Sequence, residues 1–146
     1  MHSDMAILWP TFGLALLIFT VWLTLLRRRF QHIGEHPPRS ADFADGAAVA
    51  RYFRPVERPA HNLTNLLEMP VLYFALVPLL MLTGHASPMQ VALGWAYVGL
   101  RAWHSHVHIG AHPIRLRARA YIASCAVLAA MWLGFVFDLL LSGVSA

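Results

Sequence analysis

Residues Ala6–Leu26 read AILWPTFGLALLIFTVWLTLL without a single charge, and Arg27-Arg28-Arg29 follows at once. A helix needs about 20 mainly apolar residues to cross the hydrocarbon core of a bilayer, and this stretch supplies them. A cleaved signal peptide has a shorter apolar run with its basic residues in front. Here the run is long and the basic cluster comes behind, so the segment reads as a retained transmembrane helix. Further spans are expected at about 62–83 with one acid, Glu68, at about 89–109 with Arg101 and several His, and at 120–141 with Asp138 in its last turn. The composition agrees: 58% of the 146 residues are hydrophobic and 12% charged. Soluble domains run about 45–50% and about 25%. The chain is therefore neither an ordinary soluble domain nor a disordered one. The expected fold is an all-α integral membrane bundle of four transmembrane helices. It forms a single membrane domain over 1–146, with connections at 27–61 and 110–119.

The arginines orient this bundle. All 11 basic residues are Arg. Every one except Arg101 lies in 27–61 or 110–119, the latter holding Arg115, Arg117 and Arg119. Loops rich in Lys and Arg stay in the cytoplasm, so both termini are expected outside it. This asymmetry accounts for the net charge of +4 with no nucleic-acid partner. The lone Cys125 excludes an internal disulfide and any multi-cysteine zinc site; at mid-membrane it reads as an inert thiol. In the long connection, Ser40 is a candidate N-cap for a helix through Ala41–Phe53. Phe43, Ala47, Ala50 and Phe53 would form an apolar face lying at the interface; an irregular basic loop is the alternative. Pro70 and Pro78 should bend the second span.

Polar residues collect in the second and third spans. His61, Asn65 and Glu68 fall at i, i+4 and i+7, and Arg101, His104 and His108 at i, i+3 and i+7, so each set shares a helix face. Ionisable groups inside a bilayer cost at least a few kcal/mol each. Antiparallel packing would bring Glu68 to the depth of Arg101, and an ion pair is expected there. One explanation is a structural polar network that joins helices. Another is a cationic pocket, continued by Arg115, Arg117 and Arg119, for an anionic headgroup or cofactor. His104, His108 and His112 are spaced i, i+4, i+8, which allows a metal or haem site. Against that, Glu68 is the only carboxylate in the second span, and no metal ligand set is assigned. No phosphate-binding glycine loop, dinucleotide fingerprint or serine-nucleophile turn is present.

Two motifs carry a resemblance. Asn65-Leu66-Leu67-Glu68-Met69-Pro70 is similar to the Asn-x-x-Glu motif, closely followed by Pro, of the MAPEG superfamily, the membrane-associated proteins in eicosanoid and glutathione metabolism. Arg101-Ala102-Trp103-His104, with His108 four residues on, resembles that family's third-helix Arg-x-x-His/Tyr-x-x-x-Tyr pattern. The chain looks closest to the bacterial branch, which implies the bacterial cytoplasmic (inner) membrane. The resemblance implies a homotrimer that binds glutathione as cosubstrate between subunits, on the cytoplasmic side. It places Asn65, Glu68, Arg101, His104, His108 and Tyr121 at the glutathione. The family's thiol-activating arginine falls on Arg117 without a gap, or on Arg115 with a two-residue gap. Two features depart from the pattern. His61 stands where the family's transferases usually have Arg, with Arg58 a turn earlier, and His104 and His108 stand for tyrosines. The implied function is a glutathione-dependent transferase or peroxidase acting on a lipophilic electrophile. The alternatives are a non-catalytic protein binding a lipid headgroup or other anion, and a His-based metal or haem protein. Expected partners are membrane lipids, further copies of the chain and a lipophilic small molecule.

Overall fold

The apolar run at the N-terminus becomes the first of six α-helices in the computed structural model, which describes residues 4–110 and 113–144. These are α1 Leu8–Glu35, α2 Gly46–Phe53, α3 Arg58–Glu68, α4 Pro70–Leu82, α5 Pro88–Ile109 and α6 Ile114–Val144. No strand occurs among the described residues. The apolar side chains of α1 divide by face. Pro10, Leu14, Val21 and Leu25 are buried, while Trp9, Phe12, Leu16, Phe19 and Leu23 are exposed.

Met5–Glu35, Arg58–Leu82 and Ile114–Ser142 are long and apolar enough to cross a membrane, yet only 22–33% of their apolar windows is buried. A soluble monomer rarely exposes a contiguous apolar patch beyond a few hundred Å². The outward faces therefore suit lipid. The second of these segments is broken at Met69. Pro70 has no N–H to continue the ladder, so α3 ends at Glu68 and α4 starts afresh. α5 has the length of a span but a different composition. Its Arg101, His104, Ser105 and His108 are all buried, turned inward where α5 packs most extensively on α6 and also meets α1 and α3.

The core lies between these helices. Tyr73 stacks on Tyr97 with ring centroids 5.3 Å apart, and its hydroxyl pairs with that of Thr11 at 3.3 Å. Leu14, Leu76, Leu80, Leu128, Met131 and Phe135 fill the surroundings. Gly94 lets α1 and α4 come close to α5: a Cβ there would meet Pro10 at 3.1 Å and the Tyr73 hydroxyl at 3.2 Å.

The connection from 27 to 61 differs from expectation. α1 runs past Leu26, through the arginine cluster, to Glu35. At about 1.5 Å per residue its 28 residues are longer than a bilayer core of about 30 Å, so the basic end stands clear of the hydrocarbon. Ser40 opens only a 3-10 turn, Ser40–Phe43. α2 begins at Gly46 because the Asp45 carboxylate accepts the Ala48 N–H at 2.7 Å, a stronger N-terminal signal than Ser40 can offer so far upstream. Its buried residues are Ala48 and Phe53; Phe43, Ala47 and Ala50 are exposed. Phe53 sits beneath the Arg29 guanidinium, 4.7 Å from its ring centre. Arg29 also pairs with Glu57 at 2.6 Å, and the His32 ring meets the Tyr52 carbonyl at 3.0 Å. α2 is thus fastened to the protruding end of α1.

Candidate functional site

The second half of α5, the first turns of α6 and the length of α3 converge at the arginine-rich side of the bundle. Arg101 is the largest fully buried side chain, at 0% exposure. Its Nη2 donates to the Asn65 carbonyl, and its guanidinium lies 5.6 Å from the Tyr121 ring centre. Carbonyls in the last turn of a helix lack intrahelical partners and form the negative end of its dipole. The break at Met69 makes Asn65 part of such a turn, so it offers Arg101 an acceptor. Arg101 Nε and Nη1, both polar atoms of the Asn62 side chain and Ser105 Oγ are buried without hydrogen-bond partners.

One helical turn further along α5, two imidazoles meet Arg117. His104 Nδ1 lies 3.2 Å from the Arg117 carbonyl oxygen. His108 Nδ1 lies 3.5 Å from His104 Nε2, and Arg117 Nη1 lies 3.3 Å from His108 Nε2. Tyr121, one turn after Arg117, puts its ring 5.6 Å from that of His104.

Two cavities flank Arg117. One, of about 220 Å³, is lined by Arg58, His61, Val107, His108, Gly110, Ile114 and Arg117. The other, of about 270 Å³, is lined by Asn65, His104, Arg117, Ala118, Tyr121 and Ile122. Neither has a carboxylate in its wall. The first is cationic; the second is more apolar, with Ala118 and Ile122 facing it. A preorganised guanidinium between such walls suits a carboxylate, phosphate or thiolate.

The structure thus brings Asn65, His104, His108, Arg117 and Tyr121 to the two cavities, with Arg101 buried beside Asn65 and Tyr121. Arg115 is exposed and lines neither cavity. Glu68 corrects an expectation. It is exposed, and no ion pair joins it to Arg101 among the described residues. The inward positions of α3 are Pro59, Asn62 and Leu66, which leaves Glu68 on an outer face while Arg101 takes a backbone carbonyl instead. The residues not singled out as site residues from sequence include Arg58 and His61. Their signal was the family's missing arginine, and both now line the same cavity. The described residues hold no group of three metal-ligating side chains; His112 lies outside them. No curated protein and no solved structure matches the chain. Residues 7–137, which include both cavities and every residue around them, match the model of the MAPEG family, and the chain belongs to that family.

Proposed function

We propose that this integral membrane protein is a glutathione-dependent transferase or peroxidase acting on a lipophilic electrophile. The observation that carries this is Arg117, set between a cationic cavity and a more apolar one with no carboxylate in either wall. Glutathione has two carboxylates and a thiol. Arg58 and His61 suit its carboxylates, and Arg58 stands in for the arginine that the family's transferases carry at the position of His61. Asn65, Arg101, His104, His108 and Tyr121 complete the walls and their support. Positive charge beside a thiol favours the thiolate, which is the nucleophile. At Arg117 that thiolate donates its electron pair to an electrophilic carbon, and the leaving group departs with the displaced pair. The electrophile arrives from the lipid past Ala118 and Ile122.

The proposed assembly is a homotrimer of four-span subunits in the bacterial cytoplasmic membrane, termini outside. The 22 residues of α5 rise about 33 Å, enough to cross. Glu68 is exposed between the apolar, exposed Leu67 and Val71. A carboxylate facing lipid is costly, which favours a second copy covering that face. The family resemblance supplies the number three.

The deciding experiment adds glutathione to protein purified in mild detergent and reads thiolate absorbance and binding heat. Wild type should form the thiolate, Arg115→Ala should retain it, and Arg117→Ala should lose it. A second function, a non-catalytic anion or headgroup site, is favoured by the cationic lining of the first cavity, where Arg58, His61 and Arg117 suit any anion. Anion binding with no thiolate signal in the wild type would select that alternative.

A further inference from the structure

We infer that His104 and His108 are positioning residues that hold the Arg117 guanidinium through a closed, one-directional ring of hydrogen bonds. The ring needs no ligand to exist, and its link to function rests on the role proposed above for Arg117. Arginine carries only donors, and a neutral imidazole carries one donor and one acceptor. Arg117 Nη1 must therefore donate to His108 Nε2, 3.3 Å away. That nitrogen accepts, so the hydrogen of His108 sits on Nδ1. It points at His104 Nε2, 3.5 Å away, which in turn must accept. The hydrogen of His104 is then on Nδ1 and meets the carbonyl oxygen of Arg117 itself at 3.2 Å. No other placement of the hydrogens satisfies all three contacts. The ring starts at the guanidinium of Arg117 and ends at its backbone, so the two imidazoles hold the side chain against its own helix.

The two histidines are suited to this role. They are 2% and 8% exposed, one helical turn apart, with ring planes at 84°. That angle lets an in-plane Nδ1–H of one ring reach the in-plane lone pair of the other. Arg117 commits one of its five N–H groups to the ring and keeps the others for the two cavities it lines.

The ring requires both imidazoles to be neutral. A proton on His108 Nε2 would face the Arg117 donor, remove the acceptor and set two cations together. The groups around His108 offer no compensation. From α3 come Arg58 and His61, from α5 come His104 and Arg101, and from α6 comes Arg117; Tyr121 lies against His104. None is a carboxylate. Protonating either imidazole therefore opens the ring and releases the guanidinium.

The test uses the full chain in detergent micelles with nitrogen-15-labelled histidine. At neutral pH, His104 and His108 should both show the neutral Nδ1–H tautomer, the less common one for free histidine in water. Arg117→Met, which removes the donor, should return at least one to the common tautomer. Glutathione binding is then measured for His108→Asn, His108→Phe, Arg117→Ala and the Phe/Ala double variant. Asn keeps one donor and one acceptor, so His108→Asn should restore most of the glutathione binding that His108→Phe loses. His108→Phe should weaken binding about tenfold, and the double variant should be no worse than Arg117→Ala alone. Nε2–H tautomers in the wild type, tautomers indifferent to Arg117→Met, or additive Phe and Ala losses would each overturn the ring. A wild type that binds no glutathione but shows both Nδ1–H tautomers keeps the ring and removes the glutathione role instead.

Discussion

Two glycines on α5 provide an internal comparison of packing against helix propensity. At Gly94 an added methyl group would lie 3.1 Å from the Pro10 ring and 3.2 Å from the Tyr73 hydroxyl, whereas at Gly99 nothing lies within 4 Å. Replacing Gly by Ala inside a helix gains about 0.5–1 kcal/mol at either position from backbone entropy alone. At Gly94 overpacking opposes this at about 1–3 kcal/mol. The neighbours there cannot easily give way: proline is a rigid ring, and Tyr73 is stacked on Tyr97 at 5.3 Å. Gly94→Ala should therefore be destabilised, by a net amount of up to about 2.5 kcal/mol. Gly99→Ala should be neutral or slightly more stable. Thermal unfolding of both variants in the same detergent measures the difference. Equal melting temperatures would mean that α1, α4 and α5 do not meet at Gly94, and the helix packing described above would be wrong.

Other perturbations separate the site from its scaffold. Arg117→Ala should weaken glutathione binding by about 1.5–3 kcal/mol, the worth of a hydrogen bond to a charged group, while Arg115→Ala should leave calorimetric affinity unchanged. Glu68→Ala should unfold within a degree or two of wild type as a separated subunit, because it strands no buried partner. Its effect should appear in the native mass, as a weakened trimer. Asp45→Ala removes an N-cap and should cost about 1 kcal/mol, read as faster proteolysis between α1 and α3. A reporter fused into the Gly84–Pro88 turn should report the non-cytoplasmic side; a cytoplasmic signal would invert the proposed orientation.

Much of the scaffold was legible before any packing was known, because its causes are local. An uncharged run as long as Ala6–Leu26 must satisfy its backbone within one helix if it is to lie in lipid. Pro70 and Pro78 each lack an N–H, so a bent second span was legible, but only the structure decides that the helix breaks at Met69 and runs on through Pro78; the arginines mark one boundary of the bundle wherever the helices sit. The site was legible only as residue types on shared faces. Arg115 and Arg117 are two positions apart and project to nearly opposite sides of α6, so only the rotation of α6 against α5 decides that Arg117 lines the cavities. The partner of Arg101 is a backbone carbonyl, at Asn65, and every residue has one. No sequence pattern distinguishes that acceptor from the carboxylate of Glu68, which the rotation of α3 turns outward. The directions of hydrogen bonding through His104 and His108 likewise exist only once the two helices place three nitrogens and one carbonyl oxygen within reach of each other.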